Sequence, residues 1–222
     1  MPAGSSIVSL RGMLKSLGVR LLSVSSASFA KQEWSFLGQK HSELLGSVEP
    51  GLAALERLSQ QIQELDKRIA QAAREKYPAS DLLQEIGGVG AITALSFILA
   101  VESPDRVDKP RDVGAYVGLV PGRDQSGDTD KKLGISKAGN SYVRKLLVQS
   151  AQYILGPYGP DSDLRRHGLA LAAKGGRGAK KKAVIATARK LAVVMLTMWK
   201  TNSAYRPFRD PVGQDQPNAK AA

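Results

Sequence analysis

Two apolar stretches, residues 82–86 and 91–101, are separated by nothing but Gly87-Gly88-Val89-Gly90. Both stretches read as helices, and a four-residue link with three glycines folds them back on one another as a helical hairpin. Glycine accepts positive φ and lets a second backbone come close. The first amides of the second helix have no carbonyl partner within it and point outward. Such a nest of amides suits a phosphate, although a plain tight turn between two core helices explains these residues alone about as well.

Around this hairpin the chain reads as mainly α. Residues 1–50 form a serine-rich, weakly helical lead-in that ends at a break expected from Glu49-Pro50-Gly51. Residues 51–78 follow as one helix, in which Leu55, Leu58, Ile62, Leu65, Ile69 and Ala72 alternate spacings of three and four, the seam of a short coiled coil. That seam could pair two copies of the chain or lie against its own globular domain. Tyr77-Pro78 closes it. A globular domain spans 80–209, and the polar, proline-bearing residues 210–222 read as a disordered tail.

Within the domain, residues 121–130 (Pro-Gly-Arg-Asp-Gln-Ser-Gly-Asp-Thr-Asp) offer no apolar side chain beyond the proline, hence a surface loop. Ser126 in it is a solvated turn residue by default, because a serine hydroxyl is a weak nucleophile until something activates it. The chain has only His41 and His167, and neither lies near Ser126 in sequence. Asn140 is an N-cap for a helix in which Val143, Leu146, Leu147, Ser150, Ala151 and Ile154 follow a helical period. Lys137, Arg144 and Lys145 flank that helix start, as phosphate contacts or as solvated charges. The last long helix, expected over 183–200, carries an apolar stripe of Val184, Ala188, Leu191, Met195 and Met198. Trp199 and Phe208 are expected as core anchors.

The net charge of +12 is confined to one segment: residues 164–209 hold twelve Lys and Arg and no Asp or Glu, and the rest of the chain is balanced. Its densest part, residues 174–182 with Arg177, Lys180, Lys181 and Lys182, reads as a glycine-spaced basic loop suited to follow a phosphodiester backbone. Cysteine is absent, which excludes disulfides and thiolate metal sites and fits the cytoplasm. Two distant histidines give no basis for a zinc site, so no metal ligand is assigned. No apolar run reaches the length of a membrane span, and the first thirty residues do not read as a signal. The low aromatic content, 5%, argues against base stacking as the main binding mode.

Four ordered motifs carry a resemblance: Ile86-Gly87-Gly88-Val89-Gly90-Ala91; Ala115-Tyr116-Val117-Gly118-Leu119-Val120-Pro121; Gln125-Ser126-Gly127; and Ile135-Ser136-Lys137-Ala138-Gly139-Asn140 with Arg144 and Leu147. Together they resemble the transposases of the "one-ten" group of bacterial insertion sequences, its "eleven-eleven" branch in particular. The resemblance is strong over 82–205. It implies a carboxy-terminal transposase domain with a helix-hairpin-helix, preceded by a coil that brings protomers together as a homo-oligomer. It implies transposition of double-stranded DNA guided by a structured RNA, with Ser126 as the residue that becomes linked to DNA. Gly88 and Gly90 would belong to the hairpin, and Lys137, Gly139, Asn140 and Arg144 to the motif after the serine. The family's magnesium is held by acidic residues of a RuvC-like amino-terminal domain. No such strand-rich acidic segment precedes Leu10, so this chain reads as a partial transposase, inactive alone and binding no cofactor itself. Gly87 stands where the family usually has proline, and Val107 where an aromatic is common. A non-catalytic DNA-binding remnant and an RNA-binding structural protein are the other readings.

Overall fold

A computed structural model describes the backbone of residues 2–21, 24, 28–126 and 129–208, with side chains except at 2–5 and 123–133. The tail expected over 210–222 lies outside the described residues. The chain divides into two compact units, Met1–Ile69 and Ala70–Ala222.

In the first unit, α1 (Pro2–Ser16), α2 (Phe29–Lys40) and the opening part of α3 (Ser42–Lys76) enclose Ile7, Leu14, Phe29, Leu37, Val48, Leu52 and Leu55. The break expected at Glu49-Pro50-Gly51 does not occur, because α3 runs through Pro50. A proline inside a helix removes a donor and crowds the carbonyl four residues back, at about 3 kcal/mol. Here Leu44, Leu45 and Val48 before it and Leu52 and Leu55 after it join one apolar cluster. At about 1.5–3 kcal/mol for each large side chain fully buried, that cluster outweighs the proline. Further along the seam Ile62 and Leu65 are 42% and 55% exposed, and every residue from 60 to 68 is exposed.

The second unit contains α4 (Ala79–Gln84), α5 (Ala91–Val101), two single 3-10 turns, α6 (Val113–Tyr116), β1 (Pro121–Ser126), β2 (Thr129–Ile135), α7 (Ser141–Leu155), α8 (Asp163–Ala173) and α9 (Ala179–Thr201). The long α9 touches α4, α6, α7 and α8. Its stripe is buried as expected at Ala188, Leu191, Met195 and Met198, and half-buried at Val184. These side chains meet Leu83, Ile86, Phe97, Val101, Val113, Leu119, Leu147 and Ile154 in one core. Helices α5 and α7 begin where the glycine turn and Asn140 place their starts. The chain is mainly α, and no helix among the described residues is long and apolar enough to cross a membrane.

Two further expectations are corrected. Residues 121–130 are not an irregular loop: β1 and β2 pair antiparallel as a two-stranded ribbon, with Asp124 opposite Lys131 and Ser126 opposite Thr129. The paired strands, Pro-Gly-Arg-Asp-Gln-Ser and Thr-Asp-Lys-Lys-Leu-Gly-Ile, carry no sustained apolar alternation to find. Phe208 is no core anchor. It is 43% exposed, and the Arg166 guanidinium lies 4.8 Å from its ring centroid. Trp199 is half-buried against the core as expected.

Candidate nucleic-acid interface

Two of the four motifs meet at the base of the ribbon. Gly118 (φ 70°) and Gly139 (φ 71°) both lie in the left-handed region. A methyl group at Gly118 would collide with the carbonyl oxygen of Ala138, and one at Gly139 with that of Tyr116. Only glycine lets residues 116–118 and 137–139 come this close. The Lys137 amide donates to the Gly118 carbonyl at 3.2 Å, and the Ser136 amide to that of Val120 at 2.9 Å. Arg144 locks the junction from α7, its Nη1 donating to the carbonyls of Val117 at 3.1 Å and Ala138 at 2.8 Å. Tyr116 is held in turn by its hydroxyl, which donates to the carbonyl of Ala100 on α5 at 2.7 Å.

Ser126 ends β1 at the far end of the ribbon from this junction. Its backbone is placed, whereas its side chain and Gly127 lie outside the described residues. Asn140 caps α7 as expected, its side chain accepting from the amides of Tyr142 at 2.9 Å and Val143 at 3.1 Å.

α7 separates two open grooves. One, about 440 Å³, is lined by Gly88, Val89, Gly90, Thr93, Leu146, Gln149, Ser150 and Tyr153. The other, about 390 Å³, is lined by Ile135, Lys137, Ser141, Arg144, Lys145, Val148, Gln149 and Gln152. Gln149 faces both. The fold thereby brings the glycine turn and the cations Lys137, Arg144 and Lys145 to the two sides of one helix. Lys137 and Lys145 are exposed and make no ion pair among the described residues. Nothing in the sequence pattern marks Thr93, Gln149 or Tyr153 as groove residues, and Ser150 stands out only as a small residue on the core side of α7.

The basic segment is a separate feature, and neither groove takes a lining residue from it. It is also not a single loop. Residues 174–178 form a turn with Gly175, Gly176 and Gly178 at positive φ, whereas Lys180, Lys181 and Lys182 occupy the first turn of α9. Arg177 and the three lysines are exposed. That first turn contains no acidic residue, so the lysines add to the positive end of the helix dipole, an arrangement that is self-repulsive until an anion meets it. On α8, His167 is exposed, and partial desolvation, assisted by Lys190 and Lys174, holds its pKa below the ordinary value. Asp161 accepts from Arg166 Nη2 at 2.6 Å, and this bond holds its carboxyl below the usual carboxylate range. Among the described residues no three His, Asp or Glu side chains gather where a metal ion could be held.

A helical domain with a glycine turn, a cationic helix flank and a two-stranded ribbon has counterparts among known proteins. Residues 80–162 match the sequence profile of the family described as "Transposase IS116/IS110/IS902 family". Over that segment the chain is similar to this transposase family. It is 34% identical over 124 residues to the transposase for insertion sequence element IS1111A of Coxiella burnetii, covering 56% of this chain and 34% of that one. It is 35% identical over 95 residues to the transposase for insertion sequence element IS1328 of Yersinia enterocolitica, covering 43% and 28%. It is also 46% identical over 69 residues to y4qE of Sinorhizobium fredii, named for a transposase, covering 31% and 18%. The chain thus spans about a third or less of the length of these curated relatives.

Proposed function

We propose that this chain is the DNA-handling, carboxy-terminal part of an insertion-sequence transposase, with Ser126 as the nucleophile. The observation that carries this reading is the junction at Gly118 and Gly139. It ties the ribbon bearing the Ser126-Gly127 motif to α7, and through α7 to the cations and the glycine turn.

In the proposed step the Ser126 hydroxyl loses its proton and its oxygen attacks a backbone phosphorus. A phosphoserine bond forms, the bond from phosphorus to one sugar oxygen breaks, and that oxygen takes up a proton. The α4–α5 turn, read as a helix-hairpin-helix, and the basic segment hold the strands by their phosphates. The family's magnesium does not fit the described residues, which offer no carboxylate cluster. It belongs to the RuvC-like domain. On this reading the chain alone binds double-stranded DNA and cuts poorly. A structured guide RNA is a second polyanion for the same cations, and the exposed Ile62 and Leu65 on α3 pair copies of the chain.

The test supplies the amino-terminal acidic domain of a family transposase in trans and compares Ser126→Ala with wild type for covalent protein–DNA adducts on denaturing gels. Loss of the adduct is expected, and equal yield overturns the role of Ser126. DNA binding with no adduct from wild type under any complementation would establish a non-catalytic binding module. If about six cations meet phosphates, log affinity falls against log salt with a slope of roughly −5.

A further inference from the structure

The groove between the start of α5 and α7 contains two hydroxyls that the fold itself does not use. Thr93 is 8% exposed and Ser150 5%, and both line this groove. Other helical hydroxyls here, those of Ser59, Thr197 and Thr201, donate to the carbonyl four residues back at 2.8 Å. Thr93 and Ser150 make no such bond, nor any other among the described residues. They also differ from Ser80 and Thr187, whose unpartnered hydroxyls are sealed from solvent.

Unlike sealed hydroxyls, these two open on the groove with their donors unspent on the fold, and two such donors facing one groove mark a place where an acceptor binds. The rest of the lining specifies that acceptor. The first helical hydrogen bond of α5 is Ala94 N–H to Gly90 O at 2.9 Å, so the amides of Ala91, Ile92 and Thr93 precede the ladder and have no helical carbonyl to meet. Gly90 leaves open space at its Cα, Gln149 adds a carboxamide, and no carboxylate lines the groove. Donors predominate, and the partial positive charge of a helix start favours an anion. One turn along α7, about 5.4 Å, Lys145 enters the neighbouring groove beside Lys137 and Arg144.

We propose that this groove is a seat for one backbone phosphodiester of DNA, in which the Thr93 and Ser150 hydroxyls donate to its non-bridging oxygens. The α5 start supports the same group, and the next phosphate lies over Lys145 and Lys137. This inference rests on the DNA-binding reading above and adds to it the residues that receive the backbone.

The test measures binding of a labelled DNA duplex to the 222-residue chain by fluorescence anisotropy across a salt series. It compares wild type with Thr93→Val, Ser150→Ala, Thr93→Ser and a Lys180→Ala/Lys181→Ala/Lys182→Ala triple variant. Valine and alanine keep or reduce side-chain volume and remove a hydroxyl the fold leaves unpaired, and thermal melts monitored by circular dichroism check that the fold is kept. Thr93→Val and Ser150→Ala are each expected to weaken binding roughly tenfold with the salt slope unchanged, because no charge is lost. Thr93→Ser is expected to bind as wild type does. The triple variant is expected to reduce the slope by about 0.9 for each phosphate it no longer neutralises. If wild type binds with a steep slope and the triple variant weakens it, but Thr93→Val and Ser150→Ala bind normally, the seat is overturned and the broader reading stands. If Thr93→Ser is as weak as Thr93→Val, the hydroxyl is not the donor and the seat is again overturned. If wild type does not bind the duplex at all, the broader reading fails and the seat with it.

Discussion

Because a methyl group at Gly118 would strike the Ala138 carbonyl and one at Gly139 the Tyr116 carbonyl, each glycine is required by the other's backbone. Alanine at either position combines a left-handed backbone with a collision, and Gly118→Ala or Gly139→Ala is expected to lower the unfolding free energy by about 2–4 kcal/mol in urea denaturation. Gly134, with open space around it, is the control. His167 makes a second prediction. Partial desolvation, with Lys190 and Lys174, places its folded pKa below the ordinary 6.5 although the side chain is exposed, so on acidification the unfolded chain takes up the proton first and the effect is small. Stability is therefore full above about 6.5, falls as pH drops through the window down to the folded value, and is level below it. His167→Gln should remove that acid-side decline in melting temperature. Single residues are readable in the sequence when their partners are local: Asn140 caps its own helix within three residues. Arg144 is not, since one of the carbonyls it holds is 27 residues away, and nothing in its neighbourhood separates a phosphate contact from a backbone lock.

Periodicity places α5 and α7 to within the glycine turn and the cap, because each buries a 3.6-residue stripe. It fails where another interaction decides: the helix through Pro50 is held by apolar residues on both sides of the proline, and the ribbon by backbone pairing over polar residues. The cations at 174–182 are evident from composition, but their division into a turn and the first turn of α9 depends on where the helix begins. That division has an energetic consequence. Lys180→Gln, Lys181→Gln and Lys182→Gln together relieve repulsion with the helix dipole, at about 0.3–1 kcal/mol each. The triple variant should melt at a higher temperature than wild type while binding DNA more weakly, a pair of opposite shifts measured by calorimetry and anisotropy.

Each of the two compact units has its own apolar core, and α3 presents Ile62 and Leu65 to solvent. If copies of the chain pair along that seam, Ile62→Asp with Leu65→Asp should convert a dimer to a monomer in sedimentation equilibrium without changing helical content; an unchanged mass excludes the pairing. The seam's spacing is readable in the sequence, but its exposure is not, since an apolar residue every three or four positions serves an internal core equally well, as Leu55 does. The ribbon also sets a length. With strands rising about 3.4 Å per residue, the Ser126 backbone stands about 17 Å along β1 from Pro121, and each strand of duplex DNA advances by about 3.4 Å per nucleotide along the helix axis. If Ser126 is the nucleophile and a phosphate sits beside α7, as proposed, the number of residues in β1 and β2 would act as a ruler for how many nucleotides separate that phosphate from the linkage that is cut, and longer or shorter ribbons would displace the cut accordingly.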